Sequence, residues 1–211
     1  MFKNTTKSQQ TRQRILSAAS AVFQQKGFEK ATLRDIAAAN GMSLGAVYYY
    51  FKSKEELLLA FYEEVNEQVG EAYRRRAPQG GLASRFEQLM QLKLEILTPH
   101  RRLLRIILKE AVDPESPLCP LHEASRPVLR TSLALFREVG GDAARGLWVG
   151  HMALLGLWLH DRTPDFRLTH QAISWAGTLL TWSLRLGKIP GTSGIKRTLQ
   201  TLMEELVGEE T

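Results

Sequence analysis

The sequence lacks the features that mark secreted, membrane-spanning and disulfide-bonded proteins. Among its 211 residues there is one cysteine, Cys119, so no intrachain disulfide can form and a reducing compartment is indicated. The N-terminal stretch has no apolar segment such as a secretory signal contains, and the longest apolar run, residues 146–159, is too short to span a bilayer. We therefore expect a soluble, cytoplasmic protein that has no membrane partner.

Signatures of catalysis and of metal or cofactor binding are also missing. There is no glycine-rich phosphate loop and no nucleophile elbow. Cys119 and His122 offer two types of metal ligand close together, but no second pair has the spacing that a metal site requires. We therefore expect neither an enzyme nor a protein that binds a metal or a cofactor.

Signals for β-strands are equally scarce. No Asn-Gly hairpin with alternating flanks occurs, whereas apolar residues recur at helical spacing and most prolines fall between the periodic segments. The sequence predicts an all-α protein of about nine or ten helices. The Pro- and Gly-containing stretch 77–81 is the clearest break. We predict an N-terminal domain over residues 1–52, a connecting helix and linker over 53–81, and a larger helical domain over 82–211.

The positive charge is concentrated at one end of the chain. The net charge is +6, and residues 1–52 carry all of it, because this segment has eight Lys/Arg and two acidic residues. Such asymmetry predicts that the N-terminal end meets a polyanion. On charge alone, a segment that merely aids solubility fits as well.

Two short predicted helices on either side of residues 40–42 form a helix-turn-helix pattern. Thr32 can cap the first helix and Ser43 the second, while Asn40 and Gly41 favour a tight turn between them. In such a unit the second helix enters the major groove of DNA, which is wide enough to admit it.

The second of these helices contains four consecutive aromatic residues, which cannot all face the same way. Val47 and Phe51 lie four apart on one helical row and are predicted to be buried, with Tyr50 partly buried beside them. Gly45 and Ala46 have almost no side chain, so the start of this helix can approach DNA closely. The residues predicted on the outward side are Leu44, Gly45, Tyr48 and Tyr49.

The segment TLRDIAAANGMSLGAVYYYFKSKEELL, residues 32–58, resembles the DNA-binding segment of the TetR (tetracycline-repressor-like) family of bacterial transcriptional regulators. The resemblance covers roughly residues 11–60; the rest of the chain resembles the family only in length and helicity. It implies a three-helix helix-turn-helix DNA-binding domain, followed by a helical domain for effector binding and dimerisation.

The resemblance also implies roles for individual residues. Tyr48 and Lys54 are expected to contact phosphates, and Arg34 the DNA backbone or a base edge; such phosphate contacts set register, whereas base contacts set sequence. A basic arm formed by Lys3, Lys7, Arg12 and Arg14 either follows the DNA or is disordered. The predicted DNA-binding set is Thr32, Arg34, Ser43, Leu44, Gly45, Ala46, Tyr48, Tyr49 and Lys54, of which residues 44, 46 and 49 are expected to face the groove floor.

Apolar rows on two predicted C-terminal helices indicate a subunit interface. A helix that is apolar nearly all round is buried on more than one side, by its own core and by a partner; both rows could also be plain monomer core. The resemblance adds that the last long helix pair commonly forms a four-helix dimer interface in this family. The predicted interface set is Leu147, Leu154, Trp158, Trp175, Leu179, Trp182 and Leu186.

An effector pocket is predicted between the linker and this interface, although apolar rows at helical spacing also fit an ordinary core. His151 fits a hydrogen-bonded core histidine as well as a ligand contact, and Arg105 and Glu110 are further polar candidates. The predicted ligand-binding set is Phe86, Met90, Leu104, Ile107, Leu108, Cys119, His122, Phe136, Trp148, His151, Met152 and Leu155.

These features together predict a homodimeric transcriptional regulator that binds a palindromic operator in double-stranded DNA and is released by a small-molecule effector. Two alternatives remain open at this point. The chain could be a DNA-binding scaffold that acts through a protein partner without an effector, or a helical binding protein whose DNA function has lapsed.

Overall fold

The computed structural model describes residues 6–186, with the side chains of all of them except Ile106 and residues 181–186. All regular structure in this range is helical, which confirms the predicted all-α class. Apolar residues at helical spacing also predict a helix over residues 195–207, which lies outside the described residues. The α-helices of this range are α1 (Lys7–Lys26), α2 (Leu33–Ala39), α3 (Leu44–Tyr50), α4 (Lys54–Arg76), α5 (Leu82–Leu97), α6 (Arg101–Ala111), α7 (Arg126–Gly140), α8 (Ala144–His160) and α9 (Arg167–Leu186).

The described residues form two compact units. The N-terminal unit comprises residues 6–64 and 99–128, and the C-terminal unit comprises residues 65–98 and 129–186. α4 is continuous and contributes to both units, and residues 77–81 lie within the range of the C-terminal unit. The predicted domain ranges stay a prediction.

The basic arm expected at the N-terminus is helical from Lys7 onward. Thr6 caps α1 and forms a capping box with Gln9, so the chain enters the helix early. The guanidinium of Arg12 lies 5.3 Å from the centroid of the Phe51 ring and therefore packs on the unit's own core. The remaining predicted arm residue, Lys3, lies outside the described residues.

The C-terminal unit is built on α5, α7, α8 and α9. Phe86, Phe136 and Trp158 are almost completely buried in it. The carboxylate of Asp161 accepts hydrogen bonds from the backbone N–H and the hydroxyl of both Thr163 and Thr169, at 2.7–2.8 Å. These bonds hold the end of α8 to the start of α9. Among the described residues, no helix is both long and apolar enough to cross a membrane.

The structure corrects the predicted dimer row on α8. Leu147, Leu154 and Trp158 are buried inside the single chain and have no surface to offer a second copy. They lie on the face that packs into the unit's own core, a choice that helical spacing alone does not determine. On α9, by contrast, Trp175 is 63% exposed and Leu179 69% exposed. The side chains of the other two predicted interface residues, Trp182 and Leu186, lie outside the described residues.

The predicted ligand-binding residues are divided between the two units. In the N-terminal unit, Ile107 belongs to the apolar core and Cys119 is buried in the segment after α6. The N-terminal members of the set are Leu104, Ile107, Leu108, Cys119 and His122, and the C-terminal members are Phe86, Met90, Phe136, Trp148, His151, Met152 and Leu155.

Candidate nucleic-acid interface

The two short helices α2 and α3 are each fixed by a side-chain cap at the first turn. Thr32 Oγ1 accepts from the Asp35 N–H at 3.2 Å, and the Asp35 carboxylate accepts from the Thr32 N–H at 3.0 Å, which completes a capping box. Ser43 Oγ accepts from the Ala46 N–H at 3.2 Å. Hydrogen bonds from Lys26 and then Thr32 lower the pKa of Asp35, so this capping carboxylate is charged at neutral pH.

The turn between the helices depends on one glycine. Gly41 has a φ of +63°, the left-handed region that costs other L-residues free energy. The Met42 N–H then donates to the Ala37 carbonyl at 2.9 Å and closes the turn back onto α2. The turn therefore sets the direction in which α3 leaves.

The faces of α3 separate the four aromatic residues as the sequence predicts. Val47 and Phe51 are buried at 0% and 1% exposure, which confirms that this row anchors the helix. Tyr50 is half-buried against the same core. Tyr48 and Tyr49 are exposed, and Tyr49, at 76%, presents most of its ring to solvent. One face of α3 is therefore anchored in the core, and the other exposes two tyrosine side chains.

Leu44 is the member of the outward set that the structure corrects. It is half-buried and packs against the apolar core of the N-terminal unit. The reason is its spacing, because Leu44, Val47 and Phe51 follow positions i, i+3 and i+7 and therefore share one helical face. Gly45 remains exposed on the first turn of α3, and Ala46 is half-buried.

Lys54 occupies a position that sequence reasoning did not anticipate. Its Nζ donates to the carbonyl oxygens of Phe28 at 2.9 Å and Glu29 at 3.1 Å, and lies 4.6 Å from the centroid of the Phe28 ring. These contacts hold the start of α4 against the loop between α1 and α2. An ammonium has three N–H donors, so one remains for a phosphate, and that contact stays a prediction.

Several exposed cations surround the α2–α3 segment. No described residue forms an ion pair with Arg14, Lys30 or Arg34, whereas Lys26 is paired with Asp35 at 2.6 Å. Lys52 Nζ donates to the Tyr48 carbonyl at 2.7 Å and so caps the C-terminal end of α3. The positive charge of residues 1–52 indicates such cations, but only the structure shows which of them are already paired with an acidic residue.

Comparison with known proteins agrees with this geometry. Residues 15–61 match the family model described as bacterial regulatory proteins, tetR family. This segment is similar to the DNA-binding segment of the TetR family. The matched segment runs from the middle of α1 through α2 and α3 into α4, and the resemblance found in the sequence is confirmed. The expectation that the chain is not an enzyme stays a prediction.

Individual curated proteins match the chain over longer stretches than the family model does. The chain is 33% identical over 105 residues to the HTH-type transcriptional regulator AcrR of Shigella flexneri, covering 48% of this chain and 49% of that protein. It is 32% identical over 103 residues to the probable HTH-type regulator YttP of Bacillus subtilis, covering 47% and 50%. The chain thus spans about half the length of the curated relatives it matches.

A solved TetR regulator from Nitrosomonas europaea has the same fold. Its structure superposes with a TM-score of 0.65 over 82% of this chain and 99% of that one, at 22% sequence identity. Identity this low shows a shared fold and nothing finer. The family model matches the helix-turn-helix segment, and the shared fold extends to the C-terminal unit.

Proposed function

We propose that the chain acts in the cytoplasm as a homodimeric, one-component transcriptional repressor. α3 of each subunit enters the major groove at one half of a palindromic operator, and a small molecule bound in the C-terminal unit releases the dimer. The observation that carries the proposal is the presentation of α3, where Val47 and Phe51 are buried while Tyr48 and Tyr49 face outward. Large exposed aromatic side chains on a positively charged segment suit a nucleic-acid surface.

Within this proposal the residues divide into contacts of two kinds. Arg34, the third donor of Lys54 and the Tyr48 hydroxyl bind phosphates and set the register, whereas Tyr49 and Ala46 face the bases. Thr32 and Ser43 act first as helix caps, and their backbone positions place the helix ends near the duplex. Leu44 packs against the core of the N-terminal unit and so holds α3 in place.

Dimerisation is supported by an apolar surface on the last two helices. Trp175 and Leu179 project from α9 at 63% and 69% exposure. On α8 the outward positions are small, and a Cβ placed at Gly146 or Gly150 would meet nothing within 4 Å. Small residues allow a second helix to approach closely, while exposed tryptophan supplies apolar area to bury. Two half-sites then give the affinity that one short helix cannot.

Tyr49→Ala is expected to change which sequences the protein selects, because the ring faces base edges in this proposal. Tyr48→Phe, which removes only a hydroxyl, is expected to weaken binding to all duplexes alike by about 1 kcal/mol. Selection of duplexes from a random pool, followed by fluorescence anisotropy on the enriched duplex and on scrambled ones, measures both effects. Equal loss on every duplex for Tyr49→Ala would contradict the base-facing role.

Alanine substitutions at two glycines are expected to separate folding from DNA binding. Gly41→Ala places a Cβ at positive φ and is expected to lower the free energy of unfolding by about 1 kcal/mol. A Cβ at Gly45 meets nothing within 4 Å, so Gly45→Ala is expected to keep its stability and bind the enriched duplex about tenfold more weakly. Urea denaturation and anisotropy measure the two quantities. Undiminished binding by Gly45→Ala would show that α3 does not approach the duplex at its first turn.

A further inference from the structure

A buried lysine lies in the core of the C-terminal unit. Lys93 on α5 is 4% exposed, and its Nζ donates to Asn66 Oδ1 at 3.3 Å and lies 5.8 Å from the centroid of the Phe136 ring. No Asp or Glu among the described residues forms an ion pair with it. Lysines are almost never fully buried without a partner of opposite charge, so this one requires an explanation.

A buried histidine flanks the same phenylalanine ring. His151 on α8 is 2% exposed, and its ring centroid lies 5.0 Å from that of Phe136. Its Nδ1 lies 3.2 Å from the Trp148 carbonyl oxygen and donates to it. Its Nε2 is buried and has no hydrogen-bond partner among the described residues. Buried polar atoms are nearly always hydrogen-bonded, so α5 and α8 each bring an under-satisfied nitrogen to Phe136.

The cluster combines one basic side chain, Lys93, with uncharged neighbours. Burial lowers the pKa of Lys93 to about 7. Burial and then the charge of Lys93 lower the pKa of His151 well below its usual value. Lys93 contacts Asn66 from α4 and Phe136 from α7, and His151 from α8 lies against the same Phe136 ring; all three side chains are uncharged. An anion placed beside Lys93 would stabilise the charged lysine and accept from the N–H donors that Asn66 leaves unused.

We propose that Lys93 and Asn66 bind the head group of the effector beside the neutral ring of His151, and that this effector is a monocarboxylate with an apolar body. The inference rests on the proposed function and names the ligand class of that same unit. A carboxylate can accept from the Lys93 ammonium and the Asn66 amide together, and a single cation matches a single negative charge. A phosphate would require more donors, typically arginines or backbone N–H groups.

The surroundings of the cluster account for the apolar body. Phe86 and Met90 are buried at 1% and 0% exposure, and the Phe86 ring centroid lies 6.3 Å from that of Phe136. Ligand sites of this kind have mostly apolar walls and a few polar groups that orient the ligand. Methionine has an unbranched, flexible side chain that re-packs easily around a guest.

Binding of two acids and of the matching alcohols to the unaltered protein tests the ligand class. Octanoate and 3-phenylpropanoate are compared with 1-octanol and 3-phenylpropan-1-ol by thermal unfolding and by calorimetry. At least one acid is expected to raise the unfolding midpoint and to bind at least about tenfold more tightly than its alcohol. Alcohols that bind as well as the acids, or no binding by either acid, would overturn the proposal.

Lys93→Met tests the role of the ammonium. Replacing an unpaired buried charge by an apolar side chain of similar length is expected to leave the protein folded. The variant is expected to lose the preference for acids over alcohols, whereas Lys109→Met, at an exposed lysine of α6, is expected to keep it. A Lys93→Met protein that still prefers acids contradicts the assignment. If the variant does not fold, the comparison of acids with alcohols on the unaltered protein still tests the ligand class.

The number of protons taken up on acid binding distinguishes a lysine that binds the acid from one that only stabilises the fold. With a pKa of about 7, Lys93 is about half-protonated at pH 7, and a bound anion completes its protonation, so about half a proton is taken up per site. Calorimetry in two buffers of different ionisation enthalpy measures this number, which is expected to vanish in Lys93→Met. Acid binding without proton uptake counts against Lys93 as the site.

The DNA assay separates failure of this inference from failure of the proposed function. Both the unaltered protein and Lys93→Met are expected to bind the enriched duplex, and the acid is expected to release only the former. If the duplex is bound but neither acid binds or releases it, the ligand assignment alone is wrong. If no duplex is enriched at all, the repressor proposal is wrong whatever the acids do.

Discussion

Trp175→Glu combined with Leu179→Glu is expected to turn the protein into a monomer that binds its operator at least about 100-fold more weakly. Both side chains project from α9 at more than 60% exposure, so neither substitution removes a core contact. A carboxylate at each position would be buried without a partner in a four-helix interface, at a high cost in free energy. A monomer then loses the gain from two linked half-sites, which is about 10²- to 10⁴-fold.

Sedimentation equilibrium measures the oligomeric state, and anisotropy on the enriched duplex measures binding. Val112→Glu is the matched control, because Val112 is a 70% exposed apolar residue at the end of α6, outside the C-terminal unit. It is expected to leave both the dimer and DNA binding intact. An intact dimer in the double variant would place the interface elsewhere and show that Trp175 and Leu179 do not form it.

The fold class could be predicted because its signals are local. The caps at Thr32 and Ser43 and the breaks at Gly41 and residues 77–81 define where helices begin and end, and each depends on a few neighbouring residues. The burial of Val47 and Phe51 follows equally from spacing on one short helix. These predictions required no knowledge of what packs against what.

The predictions that the structure corrects concern which face of a helix packs into the core and which face is exposed. α8 is apolar around most of its circumference, so spacing could not tell whether Leu154 faces the core or a partner, and it faces the core. Leu44 shares the helical face of Val47 and Phe51, so its half-burial follows from the same spacing and its outward placement is wrong. The ammonium of Lys54 and the side chain of Lys93 find their contacts on segments more than 20 residues away in sequence, which spacing within one helix cannot reveal.

Lys54→Met is expected to affect both folding and DNA binding, with effects on two separate measurements. Nζ donates to the Phe28 and Glu29 carbonyls, and a methionine keeps the packing on Phe28 but leaves those acceptors without their donor. The free energy of unfolding is expected to fall by about 1–2 kcal/mol, since the group is partly exposed and water can replace part of the loss. Urea denaturation without DNA measures this effect.

The remaining N–H of Lys54 determines the second effect. If it binds a phosphate, Lys54→Met removes one counterion-releasing contact, so the slope of log K against log salt becomes shallower by about one, and affinity falls alike on all sequences. Lys109→Met, on α6, is expected to change neither stability nor slope. A loss of stability with an unchanged slope would make Lys54 a positioning residue that orients α4 against the loop after α1. A shallower slope would give this one ammonium both roles, because binding to two carbonyls already aims its third donor and reduces the entropy lost when a phosphate arrives.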